Sequence, residues 1–104
     1  SKSQVTWLQR MEPFGAGNPA PMFVSTGVSL IEAERVGDGG DHLRMRLRDR
    51  SQSWRAIGFR LGRTPVQQGD VVDLIWSLKR NGDRGVELEV HDLAPTVAVN
   101  KPDL

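Results

Sequence analysis

From His42 to Arg48 the chain alternates without a fault, with Leu43, Met45 and Leu47 on one parity and Arg44, Arg46 and Arg48 on the other. Side chains of a strand point alternately to its two faces, so this pattern predicts a half-buried strand, apolar face in and arginine face out. Upstream, "MFVSTGVSLIEAERVG" places Val24, Thr26, Val28 and Leu30 on one parity and then changes phase to Ile31 and Ala33, which predicts a long strand with a bulge or bend. Gly27 sits inside it, where a sharply coiling strand tolerates a missing side chain. "DGGD" (Asp38 to Asp41) predicts a turn. "SWRAIGFRL" reads as the next strand, with Ile57, Phe59 and Leu61 facing inward and Trp54, Ala56, Gly58 and Arg60 outward, paired as a hairpin through a turn near Asp49 to Ser53. "GRTPVQQGD" is polar and punctuated, a connection rather than a helix. "VVDLIWSLKRN" then lines up Val72, Leu74, Trp76 and Leu78, "NGDRG" turns the chain, and "VELEVHDL" sets Val86, Leu88 and Val90 inward with Glu87, Glu89 and His91 outward. Ahead of all this, Trp7, Leu8 and Met11 recur at helical spacing with Ser3 as a cap, which predicts a short helix before Pro13, packed on the strands through Trp7.

Five regularly spaced strands, the first long and bent, must close on themselves or pack as a sandwich to protect their edges. The reading is an all-β fold: a five-stranded antiparallel OB-type barrel preceded by a short N-terminal helix. An SH3-like barrel or a small sandwich is the alternative. The expected organisation is a helix and Gly/Pro-rich connector over residues 1–22, the barrel over 23–95 and a polar tail over 96–104. A chain of 104 residues suits one core of this kind. No apolar run approaches the ~20 residues that span a bilayer, and no signal-peptide pattern opens the chain. The absence of cysteine excludes disulfides and thiolate metal sites, and fits a reducing compartment. The expectation is a cytoplasmic protein without a membrane partner. A start on Ser1 and a polar end, "NKPDL", are expected of a piece of a longer protein.

The net charge of +1 names no partner, but its distribution does. Between His42 and Arg63 lie Arg44, Arg46, Arg48, Arg50, Arg55, Arg60 and Arg63 against Asp49 alone, while the rest of the chain is net acidic. Clustered like charges cost stability unless something uses them, so this segment reads as an anion-facing surface. Alternate arginines on one strand stand about 7 Å apart, close to the phosphate spacing of an extended single strand. Two readings fit: the arginines track a nucleic-acid backbone, or they solvate the strand and pair with Glu87 and Glu89. Trp54, taken on the same face as Arg60, suits a base-stacking platform between arginines; packing at the barrel end near the hairpin turn is the alternative. Trp76, alternating with Leu74 and Leu78, reads as core.

Catalysis finds little support. His42 and His91 lie far apart at strand ends, and no spacing resembles a metal site or a triad. "PFGAGNPAP" (Pro13 to Pro21) is dense in glycine and proline, yet it lacks both a strand-turn-helix context and a Lys-Ser/Thr pair, so a phosphate-loop reading fails. Prolines that fix the entry path and glycines that supply turns suit a stiff joint into the first barrel strand; a backbone contact to DNA is the lesser reading.

These residues also resemble a known family. "EPFGAGNPAPMF" (Glu12 to Phe23), "VGDGGDHLRMRL" (Val36 to Leu47), "AIGF" (Ala56 to Phe59) and "LKRNGDRGVELEVHDLAP" (Leu78 to Pro95) resemble, in order, the C-terminal OB domain of the RecJ family, bacterial single-strand-specific 5′→3′ DNA exonucleases of the DHH phosphoesterase superfamily. The resemblance carries over Phe14, Gly15, Gly17, Asn18, Pro19, Pro21 and Phe23 as the signature connector, His42 and Leu43 after the turn, and Asn81 with Gly85 in the last hairpin. Ala20 departs from the glutamate expected there. The resemblance implies a DNA-binding module that binds but does not cut, with Mn²⁺ or Mg²⁺ held by catalytic domains elsewhere in the parent and no cofactor in this piece. The expected partners are single-stranded DNA, the catalytic domains of the same chain and a single-strand-binding protein. The expected DNA-binding residues are Arg44, Arg46, Arg48, Trp54, Arg55 and Arg60. The alternative is an architectural or protein-interaction module, motivated by Trp7, Leu8 and Met11.

Overall fold

Over residues 5–7, 20–80, 82 and 85–97, which the computed structural model describes, six strands form. They are β1 (Val5–Trp7), β2 (Phe23–Val36), β3 (His42–Asp49), β4 (Gln52–Gly58), β5 (Val71–Arg80) and β6 (Val86–Pro95), with a 3-10 turn at Asp38–Gly40 between β2 and β3. The pairing order is β1-β2-β3-β4-β6-β5, and β5 pairs back onto β2, so five of the strands close a barrel. This is the strand order of an OB-type barrel. One pairing departs from the antiparallel expectation: β4 and β6 run parallel, with Ala56 beside Leu88 and Ile57 beside Glu89. The geometry demands it, because the chain crosses the barrel end after β4, runs up beside β2 as β5, and returns through a hairpin into the gap between β5 and β4.

Closure depends on β2 serving two neighbours. Its first half pairs with β5 from Phe23 to Ser29, and its second half pairs with β3 from Ser29 to Val36. Two phase changes make the bend, where the sequence pattern predicted one. The first falls between Ser25 and Val28, so that Ser25 and Val28 are buried while Thr26 is exposed. Gly27 supplies the left-handed backbone there, at φ 69°, and its N–H donates to Asp73 Oδ1 at 2.9 Å. The second falls at Ile31, between Leu30 and Glu32. The single parity expected of Val24, Thr26, Val28 and Leu30 is therefore broken before Val28, and the buried positions are Ser25, Val28 and Leu30.

The helix expected before Pro13 is not supported. Val5–Trp7 is strand, antiparallel to β2 with Val5 opposite Ser25 and Trp7 opposite Phe23. Two β-branched residues and an aromatic favour a pleated edge, and β2 offers one there because β3 pairs only from Ser29 onward. Leu8 and Met11 lie outside the described residues, as do Phe14, Gly15, Gly17, Asn18 and Pro19 of the connector.

The core consists of Leu30, Leu43, Leu47, Val72 and Val90, all essentially inaccessible, with Val28, Met45, Ala56, Leu74, Leu88 and Leu93 around them. Trp76 is half-buried as expected of a core residue, stacked on Phe23 with ring centroids 4.7 Å apart, and its Nε1–H donates to Ser25 Oγ at 2.8 Å. That bond satisfies two polar groups that the interior would otherwise penalise.

The orientation of β4 is the main correction. Leu47 pairs with Trp54, Met45 with Ala56 and Leu43 with Gly58, so Trp54, Ala56 and Gly58 take the inward parity while Arg55, Ile57 and Phe59 face out. Ala56 and Gly58 are buried, and Phe59 is 46% exposed. Small barrels fill their interior with alternating large and small side chains, and these small residues leave the room that Leu43 and Met45 occupy.

One end of the barrel is closed by residues 59–70, a looped connection without a helix, as the punctuated sequence predicted. Val66 plugs it, at 4% exposure. Arg35 ties the loop down: its Nε donates to the Gly62 carbonyl at 2.9 Å, and its Nη2 donates to the carbonyls of Thr64 at 2.7 Å and Val66 at 2.9 Å. Gly62 N–H also donates to the Asp41 carbonyl at 2.9 Å. A Cβ on Gly62 would collide with the Gly40 carbonyl and the Asp41 backbone. Backbone cannot yield as a flexible side chain does, so Gly62→Ala is expected to cost about 2–4 kcal/mol in urea unfolding, as overpacking and a lost backbone bond combine.

Candidate nucleic-acid interface

The outward face of β3 and β4 is built by their register. Arg44 lies opposite Ile57, Arg46 opposite Arg55 and Arg48 opposite Ser53. A groove of about 500 Å³ runs over this face, and its lining includes Arg44, Arg46, Arg55, Ile57, Phe59 and Lys79. Its floor is the outer surface of two hairpin-connected strands, with the buried Leu43, Met45 and Leu47 on the opposite face of β3. The 3-10 turn at Asp38–Gly40 stands at one end of β3, and the β3–β4 turn at Arg50 and Ser51 stands at the other.

Phe59 has a defined setting. The His42 ring meets it edge-on with centroids 5.5 Å apart, and Lys79 Nζ lies 5.9 Å from its centroid. His42 is itself fixed, because its Nδ1 accepts the Arg60 N–H at 2.9 Å. A half-exposed aromatic with a lysine over its ring and an imidazole bracing it from the side can accept a flat π-surface.

Carboxylates flank the arginines. Glu32 pairs across strands with Arg46 and Glu34 with Arg44, and the Arg46 Nε to Glu32 Oε1 distance is 3.7 Å. Both side chains remain well exposed, so the pair is worth ~1 kcal/mol at most. The bulge at Ile31 creates this arrangement. In the register of Leu30 with Leu47, Glu32 would fall opposite the inward Met45; one extra residue moves it to Arg46 and turns both glutamates to the outer face. On the far side, Glu89 of β6 lies beside Ile57, and Glu87 lies opposite Lys79. The sequence reading named Glu87 and Glu89 as possible partners of the arginines; the glutamates opposite them in the ladder are Glu32 and Glu34.

The structure thus brings Arg44, Arg46 and Arg55 together, with Arg48 one row along on the same face, its Nε donating to the Arg50 carbonyl at 3.2 Å. It does not bring Trp54 or Arg60 to them. Arg60 follows β4 in a left-handed conformation, φ 65°, outside the groove lining. Trp54, 40% exposed, lines a separate apolar mouth of about 490 Å³ at the open barrel end, together with Leu47, Trp76, Leu78, Val86 and Leu88. The barrel-end reading of Trp54 is the one its position matches. Of the connector, Pro21 and Phe23 are half-buried at the entry to β2.

Phe59, Lys79, Glu32 and Glu34 also line the groove, and the sequence pattern did not single them out. The hairpin carried the signal for Phe59: two residues between Asp49 and Gln52 align Leu47 with Trp54, which turns Phe59 outward. Among the described residues, no group of three or more His, Asp or Glu side chains is placed to hold a metal ion, and no helix is long and apolar enough to cross a membrane.

Residues 1–92 match the family model described as the RecJ OB domain. No curated protein matches the chain.

Proposed function

The chain belongs to the RecJ OB domain family, and on that premise we propose that it is the single-stranded-DNA-binding module of a RecJ-type 5′→3′ exonuclease, steering the strand toward a catalytic site in other domains of the parent. OB domains of this family are non-catalytic modules. Hydrolysis, and the Mn²⁺ or Mg²⁺ it uses, belong on this reading to the parent's other domains.

The observation that carries the reading is the cation row over β3 and β4. These are the second and third strands of the barrel proper, and OB barrels bind oligonucleotides on that face, between the loops that follow their first and fourth strands. The first of those loops here is residues 37–41, and the second connection runs from Arg80 at the end of β5 to Val86 at the start of β6. Arg44, Arg46 and Arg48 repeat at roughly 7 Å, a spacing that follows successive phosphates of an extended strand. Arg55 widens the row, and Phe59 and Ile57 offer apolar surface for bases beside it. Such a site grips backbone by charge and bases by stacking, so it is tolerant of sequence.

The Phe59 contact separates this reading from simple charge attraction. Stacking of a base is worth about 1–3 kcal/mol, so Phe59→Ala is expected to weaken binding of a short single-stranded oligonucleotide roughly 5- to 150-fold while leaving its salt dependence unchanged. Fluorescence anisotropy of a labelled oligonucleotide at two salt concentrations makes the comparison. Unchanged affinity would remove Phe59 from the site.

A second reading rests on a different face. The apolar mouth exposes Trp54, Leu78 at 55% and Val86 at 49%, a cluster suited to docking against the catalytic domains of the parent or a single-strand-binding protein. The two readings occupy opposite parities of β3 and β4 and are compatible in one molecule.

A further inference from the structure

The row of cations is narrow, and it is fenced on both sides. Going across the sheet from β2 to β6, the outward columns are Glu32 and Glu34, then Arg44 and Arg46, then Arg55 and Ile57, then Glu87 and Glu89. Adjacent strands lie about 4.8 Å apart, so the cationic strip is two strands wide and the two acidic columns stand roughly 14 Å from one another. We infer that Glu32, Glu34, Glu87 and Glu89 form charge rims that make this face selective for one polyanionic strand over two. The inference rests on the binding face proposed above.

The width of the strip discriminates between one strand and two. A single extended strand presents one row of phosphates, and that row fits along the cationic strip with its bases turned toward Phe59 and Ile57. A duplex presents two rows, separated across its grooves by about 6 or 12 Å. With one row on the arginines, the other falls on or just beyond a carboxylate column. That distance is within the Debye length of about 8 Å at physiological salt, so the repulsion is only partly screened. Binding also strengthens the rims. In the free chain Glu32 sits 3.7 Å from Arg46. Once a phosphate engages Arg46, the carboxylate's charge is no longer offset and meets whatever lies alongside. Lys79, opposite Glu87 on β5, softens the β6 rim, so the β2 rim is the stronger of the two.

The test is charge neutralisation at constant shape. Wild type, Glu32→Gln/Glu34→Gln and Glu87→Gln/Glu89→Gln chains are titrated by fluorescence anisotropy against one 12-nucleotide sequence, offered as a single strand and as a blunt duplex. The expected result for the β2 pair is a rise in duplex affinity of about tenfold and in single-strand affinity of only about twofold, with a smaller change of the same kind for the β6 pair. Thermal unfolding checks that each pair keeps the fold, and the two independent pairs keep the comparison open if one does not. Equal gains for single strand and duplex, or no gain in either pair, would overturn the rims while leaving the binding face intact. A wild-type chain that binds neither oligonucleotide would overturn the binding face, and the rims with it.

Discussion

An Arg35→Ala chain is expected to unfold well below the wild type, by about 3 kcal/mol, because one guanidinium serves three backbone carbonyls in the loop that closes the barrel. Hydrogen bonds to a charged group each contribute about 1.5–3 kcal/mol and do not add fully within one network, which sets that estimate. For a domain of this size the melting temperature should fall by roughly 12–24 °C. The acceptors belong to Gly62, Thr64 and Val66, residues with no strand partner to fall back on. Val66 is the apolar plug of that end, so releasing its segment exposes core as well as carbonyls. Arg35→Lys keeps the charge and loses the planar fork, and should recover less than half of the loss. Scanning calorimetry of the three chains measures both steps. Equal melting temperatures for wild type and Arg35→Ala would show that the loop is held by something other than this side chain.

Reversing the charge of the arginine row is the largest functional effect expected. Arg44→Glu/Arg46→Glu removes two phosphate contacts and adds two repulsions, and should weaken single-strand binding on the order of a hundredfold at low salt. The reversal also places carboxylates opposite Glu34 and Glu32, and like charges directly opposite destabilise a sheet. Arg44→Ala/Arg46→Ala avoids that pairing and should weaken binding about tenfold, in a chain whose melting temperature is close to wild type. Anisotropy titration of the three chains against the same oligonucleotide reads the series. A double alanine chain that binds as tightly as wild type would assign the arginines to solvation alone.

Much of the fold was legible because strand parity is a strong signal wherever one face is apolar. β3 declared itself through three inward residues and three arginines, and the punctuated connection after β4 was read as such. What misled was hydrophobicity without register. Ile57 and Phe59 are more apolar than Ala56 and Gly58, yet the interior at that level is too narrow for them, and the small pair is buried instead. Inverting β4 moves Trp54 away from the arginines and Phe59 toward them, so the aromatic that shares their face is Phe59, where the pattern alone had placed Trp54. The acidic flank was hidden for a related reason. Glu32 and Glu34 face the arginines only because Ile31 is an inserted residue in the ladder, and the position of a bulge is not set by local pattern. Before Pro13, helical spacing of Trp7, Leu8 and Met11 competed with the β-preference of Val5–Trp7, and the open edge of β2 decided for strand. The Arg35 clamp left no trace in periodicity at all, since its acceptors are backbone atoms of a loop.

On the proposed function, the outer face of β3 and β4 holds the phosphates of a single strand. Affinity for a short single-stranded oligonucleotide, measured across a series of salt concentrations, tests it most directly. With three or four phosphates neutralised, log affinity should fall against log salt with a slope of roughly −2 to −3, and the slope should shrink by about 0.7 for each arginine contact removed in Arg44→Ala/Arg46→Ala. Binding that is absent at low salt, or whose slope is the same in wild type and in the double alanine chain, would contradict it.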